Sequence, residues 1–297
     1  MRLREVERIA RRVVPGCGAP QLSRLGAGLW HDTYRVHRGG RAFSMRLAAT
    51  ASRDSTQDGW LLRVMQLAAD QALAPALVYG DAERGILVQE WLDGRAWPAA
   101  VVRRARAVER IADLLRRVHA LPAPAPVRAS SPGAWVRHYT AALGARRAAD
   151  ALASAAHVRL MRLDALPAVA GVLCHSDLHR LNVLECRPPH RGSALILLDW
   201  EYAHVSEPFW DLAGWSANND FPEGPLRQLL AAYLGRKPDE ADWMRCNLLV
   251  WLYDYVCLLW SELYLSSRRG GAHADGEISG VAGRAALLRD RLAASAD

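Results

Sequence analysis

The chain has 297 residues, half of them hydrophobic and 23% charged. That balance excludes a disordered chain, and the length suits one large domain or two lobes with a core of their own. The formal charge of +7 is almost wholly arginine, Lys237 being the only lysine, and no Lys/Arg block of five occurs; no nucleic-acid partner is expected from so dispersed a charge.

Leu3–Val14 has helical apolar spacing and ends at Pro15-Gly16. It carries Glu5 and Glu7 and lacks an apolar stretch, so it does not read as a secretory signal. Leu22–Leu29 reads as a glycine-bearing turn, followed by a hairpin of Thr33–His37 and Ala42–Leu47 around Gly39-Gly40. Gly26 and Gly28 would let backbone N–H groups approach phosphate oxygens, although an ordinary hairpin turn explains a lone G-x-G equally simply. Gln57–Ala69 reads as a helix, and Ala74–Tyr79 and Gly85–Trp91 as two further strands. Ala99–Leu121 is helical, 122–133 an exposed Pro/Ala/Ser connector, and Trp135–Ala156 helical again.

Next comes the most informative stretch, Leu173–Asp211. Two apolar runs, Val172–Cys174 and Ala194–Leu198, deliver polar residues at their ends: His175, Asp177 and Asn182 after the first, Asp199 and Glu201 after the second. Val183–Cys186 pairs as a strand between them, and RPPHRGS (187–193) reads as turn-rich. Phosphoryl transfer needs that inventory: one carboxylate to orient the attacking hydroxyl, and a carboxylate with an amide oxygen to hold Mg²⁺ on ATP. Taken singly, these residues would pass as turn formers. A zinc site from Cys174, His175, Asp177 and His179 leaves Asn182 and Asp199 unexplained.

After Asp211, helices are expected over Pro225–Leu234 and Ala241–Leu265, then a glycine-rich break at 270–276 and a last helix, Val281–Ala294. Val250–Leu265 carries Asp254 and Glu262, so it reads as a buried helix and no membrane insertion is expected. The five cysteines (Cys17, Cys174, Cys186, Cys246, Cys257) lack metal or disulfide spacing, which suits free thiols in a cytoplasmic protein.

H-x-D-x-x-x-x-N, followed by an apolar strand ending in DWEYA and then PFWDLA, resembles the aminoglycoside phosphotransferase / choline kinase superfamily, closest to its choline/ethanolamine kinase and thiamine kinase branches. The resemblance implies a two-lobed, protein-kinase-like α+β fold. Residues 1–94 would form a β-rich nucleotide-binding lobe and 95–297 a mainly helical catalytic and substrate-binding lobe. It implies ATP and Mg²⁺ as cofactors, Asp177, Asn182 and Asp199 as catalytic residues, and Asn182 and Asp199 as the metal ligands. Gly26, Gly28, Arg46 and the hinge Gln89–Leu92 (Gln89, Glu90, Trp91, Leu92) would bind the nucleotide. His175 and Asp211 would brace the catalytic loop, Asp211 also being placed to cap a helix.

The family's helix glutamate, which pairs with the strand cation, is missing. Trp60 or Leu61 stands in its place; either Asp58, the nearest acid, substitutes for it or Arg46 is held by phosphate alone. Glu201, Asp220, Trp251, Asp254, Tyr255 and Glu262 are candidates for an acceptor pocket, since aromatic faces and carboxylates suit an organic cation such as thiamine or choline. An aminoglycoside-type antibiotic phosphotransferase and a catalytically silent nucleotide-binding protein are the alternatives. Nothing in the sequence sets the oligomeric state.

Overall fold

Strict alternation in Tyr34-Arg35-Val36 and Phe43-Ser44-Met45-Arg46-Leu47 puts one apolar face on each strand of an antiparallel sheet. In the computed structural model, which describes residues 3–27, 31–48, 59–144, 150–267 and 275–295, that sheet has the order β1-β2-β3-β5-β4. Its strands are β1 (Gln21–Ala27), β2 (His31–Arg38), β3 (Arg41–Ala48), β4 (Leu77–Asp81) and β5 (Ile86–Glu90). Helix α1 (Leu3–Val13) lays Val6, Ala10 and Val13 on Val36, Phe43, Met45 and Val88 to make one core. The Arg38 guanidinium donates to the carbonyls of Arg11 and Val14, both at 2.6 Å, and so closes the C-terminal end of α1.

The chain divides into two compact units. The first, residues 1–98, 120–127 and 180–203, adds α2 (Gly59–Asp70) and a three-stranded sheet ordered β6-β8-β9. Those strands are β6 (Gly94–Ala96), β8 (Val183–His190) and β9 (Ser193–Leu197). Gly94 is needed there, because a Cβ would lie 2.5 Å from Leu184 Cγ. The Leu197 N–H donates to the Leu73 carbonyl at 2.8 Å, tying β9 to the segment after α2.

The second unit, residues 99–119, 128–179 and 204–297, is mainly helical. Helices α3 (Ala105–His119), α4 (Pro132–Leu143) and α5 (Ala151–Asp164) precede a short ribbon of β7 (Val172–Cys174) and β10 (His204–Ser206). Then come α6 (Phe209–Asn218), α7 (Glu223–Leu234), α8 (Glu240–Ser267) and α9 (Asp275–Ala293). Helix α8 is apolar nearly all round, the pattern of a helix enclosed by others. It is long and apolar enough to cross a membrane, yet 61% of its most apolar window is buried within the fold.

Several expected boundaries differ. Leu22–Ala27 is strand rather than turn, with a bulge between Arg24 and Gly26, because β1 pairs with β2 along its length. The helix expected over Trp135–Ala156 is broken: α4 begins at Pro132, capped by Ser131, and stops at Gly144, whose φ of 84° no helix tolerates. Strand β8 runs through the segment read as turn-rich. Its register jumps from Glu185 to His190, so that Pro188 and Pro189 fall in the irregular part of the ladder, where no N–H is required of them. The glycine-rich break at 270–276 lies mostly outside the described residues.

Gly214 of α6 faces the Tyr253 ring of α8, and a Cβ there would meet it at 2.8 Å. Gly214→Ala is expected to lower unfolding stability by about 1–3 kcal/mol, despite the better helix propensity of alanine. Urea unfolding checks this, and an unchanged or stabilised variant would show that the α6–α8 contact has slack.

Candidate active site

In the mainly helical unit the loop after β7 hangs on one buried carboxylate. Asp211, in the first turn of α6 rather than at its cap, accepts from the His175 N–H (Oδ2, 2.8 Å) and the Ser176 N–H (Oδ1, 2.7 Å). His119, at the end of α3, meets the same carboxylate through Nε2 at 3.1 Å and holds the Tyr233 hydroxyl on Nδ1 at 2.7 Å. Burial by itself would raise the Asp211 pKa, but the His119 contact and the backbone donors hold it below the usual carboxylate range. His175 is fully buried, and its Nδ1 accepts the Asp177 N–H at 3.3 Å.

Ser176 sits at φ 67°, a left-handed conformation that serine rarely adopts, which turns the chain so that Asp177 follows directly. Further bonds fix the same turn. Tyr253 donates from its hydroxyl to the Ser176 carbonyl at 3.4 Å, and Asn218 Nδ2 donates to the Leu178 carbonyl at 2.9 Å. His204 accepts the Trp135 indole N–H on Nε2 at 3.3 Å, so its Nδ1 carries the proton and donates to Ser176 Oγ at 3.1 Å. Cys174 packs its thiol against the carbonyls of Ser206 and Glu207, and burial pushes its pKa well up.

In the other unit, β8–β9 pairing matches Val183 with Leu197, and the Leu198 N–H donates to the Asn182 carbonyl at 2.8 Å. Asn182 and Asp199 therefore leave the same end of one hairpin. Asp199 has φ 61°, a second left-handed non-glycine position. Its Oδ1 accepts from Arg46 Nη1 at 2.7 Å, while Arg46 Nη2 reaches Glu201 Oε2 and His31 Nδ1, both at 3.1 Å. Burial works against the Arg46 charge, but Asp199 and Glu201 outweigh it and raise the pKa. Burial, aided by Arg46, pushes His31 down to about 4, so the ring is neutral and its Nδ1 is an acceptor. Asn182 and Asp199 offer hard oxygen donors of the kind Mg²⁺ takes.

The remaining expected positions divide between the units. Gly26 lies at the β1 bulge, opposite Thr33; Gly28 and Asp58 fall outside the described residues. At the hinge, the Glu90 N–H donates to the Ala76 carbonyl and the Trp91 N–H to the Ala42 carbonyl. The Gln89 side chain holds the Pro75 carbonyl, and Glu90 pairs with His190 at 2.7 Å.

Of the acceptor candidates, Glu201 stands with Arg46 in the first unit, whereas Asp220, Trp251, Asp254, Tyr255 and Glu262 share the second. Arginines of α9 take the carboxylates: Arg291 bonds Asp220 Oδ1 at 2.8 Å and also bonds Asp254, and Arg289 bonds Glu262. Burial raises Asp254 to about 6 in spite of Arg291. Trp251 stacks on Tyr255 (ring centroids 5.4 Å apart), and the Arg159 guanidinium lies 4.2 Å from the Trp251 ring centroid.

The sequence reading passed over His119, Asn218 and His31, and took Tyr253 only as one of the aromatic residues offered to an acceptor pocket. His119 had a signal: it falls on the apolar stripe of α3, in step with Ile111 and Leu115, where a histidine must find a buried partner.

Structures with this fold include the choline/ethanolamine kinase family protein from Mesorhizobium loti, 20% identical, with a TM-score of 0.73 over 97% of this chain and 94% of the other. Choline kinase LicA from Streptococcus pneumoniae is 19% identical, with a TM-score of 0.75 over 98% of both chains. The GDP and kanamycin complex of APH(2″)-IIia is 18% identical, with a TM-score of 0.69 over 97% and 98%. No curated protein sequence is a significant match. The model of the phosphotransferase enzyme family matches residues 21–249, and the chain belongs to that family, within the aminoglycoside phosphotransferase / choline kinase superfamily.

Asp211→Asn is expected to cost at least about 1–3 kcal/mol at neutral pH, because one of two buried N–H donors loses its acceptor. The depressed Asp211 pKa stabilises the fold above the ordinary carboxylate value, a contribution lost as pH falls through the folded value. The gap between wild type and variant should therefore narrow below about pH 4. Urea unfolding at pH 7 and through the acid range tests both, and a gap that widens in acid would refute the assignment.

Proposed function

We propose that this protein transfers the γ-phosphoryl group of ATP to the hydroxyl of a small molecule, with a cationic alcohol of the thiamine or choline type as acceptor. The observation that carries the reading is Arg46 bonded to Asp199, beside Asn182 on the same hairpin. A half-buried cation from β3 and two oxygen donors suit a nucleotide's phosphates and their metal.

In this reading Asp177 aims the acceptor hydroxyl at the phosphorus and takes its proton, and the Asp211 network keeps its loop in place. Asn182 and Asp199 would hold Mg²⁺, which supplies charge neutralisation on the phosphate oxygens when bound. Arg46 binds phosphate oxygens, and Gly26 and Gly28 bring backbone N–H groups to them. The hinge Gln89–Leu92 offers the adenine its remaining backbone groups, since the Glu90 and Trp91 N–H groups serve the sheet. A cytoplasmic setting agrees with the free cysteines, of which Cys174, Cys186 and Cys246 are buried.

On the acceptor side, Trp251, Tyr255, Asp220, Asp254 and Glu262 supply the aromatic and acidic surface that suits a cation. Their arginine partners already balance much of that acidity, which favours a singly charged acceptor over a polycationic aminoglycoside. The kanamycin complex of the 18% identical relative keeps the antibiotic in the test.

ADP release from Mg·ATP, with thiamine, choline, ethanolamine and kanamycin in parallel, tests the proposal. One cationic alcohol should turn over, and Asp177→Ala should lower its rate by about 10²–10⁴. Turnover with kanamycin alone would replace the acceptor class, and no turnover above the variant with any of the four would overturn it.

A further inference from the structure

Leu61, Leu62 and Met65 of α2, all apolar, line a cavity of about 40 Å³ together with Arg46, His31 and Glu201. Where the family's helix glutamate is expected, this chain therefore puts hydrocarbon. Glu201 approaches the guanidinium from the turn after β9 instead. That turn is firmly seated: Trp200 is fully buried, its indole N–H donates to the Leu197 carbonyl at 3.2 Å, and the Ala203 N–H closes onto the Trp200 carbonyl at 2.9 Å.

We infer that Glu201, with His31 Nδ1 as a second partner of the guanidinium, is the positioning residue for Arg46 and takes over the work of the absent helix carboxylate. This rests on the kinase reading above. Arg46 has two terminal nitrogens with different partners. Nη1 lies on Asp199, which that reading assigns to the metal, whereas Nη2 lies on Glu201 and His31. The Nη2 side holds the group in place, so that in the kinase reading Nη1 can turn to a phosphate oxygen when Asp199 takes the metal. A planar, five-donor cation can be gripped along one edge while the other edge works, which a lysine in the same place could not do.

The test has a part that needs no turnover. In EDTA and without nucleotide, a double-mutant cycle of Glu201→Gln and Arg46→Gln is read from urea unfolding, and the two substitutions should be coupled rather than additive. Steady-state kinetics then separate positioning from metal binding. Glu201→Gln should lower kcat by about 10²-fold with little change in acceptor KM. Glu201→Asp should recover part of it, and Leu61→Glu in the Glu201→Gln background should recover part by restoring a carboxylate on α2. Saturating Mg²⁺ should recover none.

Rescue by Mg²⁺, an unchanged kcat, or additive unfolding energies would each overturn the inference. Coupling in a wild-type protein that turns over no acceptor would support the Arg46 clamp and count against the kinase reading instead.

Discussion

The carboxylate of Asp211 is the constraint on which the loop after β7 depends. Two successive backbone N–H groups, those of His175 and Ser176, converge on its two oxygens. A buried N–H without an acceptor is costly, so the ionised Asp211 carboxylate supports the bend at Ser176 by accepting both donors. His119 secures the other side of the carboxylate, and Tyr233 secures His119. The chain thus converts α3, α6 and α7 into the mount for a few residues of loop. The left-handed Ser176 is affordable because so many bonds over-determine it.

Much of this was legible in the sequence where chemistry and chain order coincide. The later Asp211 was expected to brace the loop that H-x-D-x-x-x-x-N opens, and its carboxylate does accept the His175 and Ser176 N–H groups. The β2–β3 hairpin was readable because Gly39-Gly40 separates two alternating runs. Other features depend on tertiary partners. Nothing local says that Leu22–Ala27 pairs along its length with β2, or that β8 continues past two prolines. Asn218 and Tyr253 look like ordinary residues of apolar helices, and only the fold shows that both hold loop carbonyls.

The open question from the sequence was what answers the positive charge of Arg46 when the α2 helix has no glutamate. Looking along α2 could not resolve it, because the partners lie more than 150 residues downstream, in the turn after β9. A guanidinium largely withdrawn from water needs several acceptors around it. Asp199, Glu201 and His31 supply them, and His31 does so because burial keeps it neutral. A protonated histidine there would add a second cation with no acceptor left to offer.

Arginine serves a different purpose in the mainly helical unit. Asp220, Asp254 and Glu262 looked available to a cationic acceptor, but α9 brings Arg289 and Arg291 onto them. Any cation that uses these carboxylates must therefore exchange with a guanidinium, and the exchange is unequal. A quaternary ammonium offers charge but no N–H donor, whereas Arg291 gives Asp254 a charge-assisted hydrogen bond in a largely buried setting. In the cationic-acceptor reading, then, affinity is a difference between two cations competing for one site, and selectivity follows from what each gives up in hydrogen bonding rather than from charge alone.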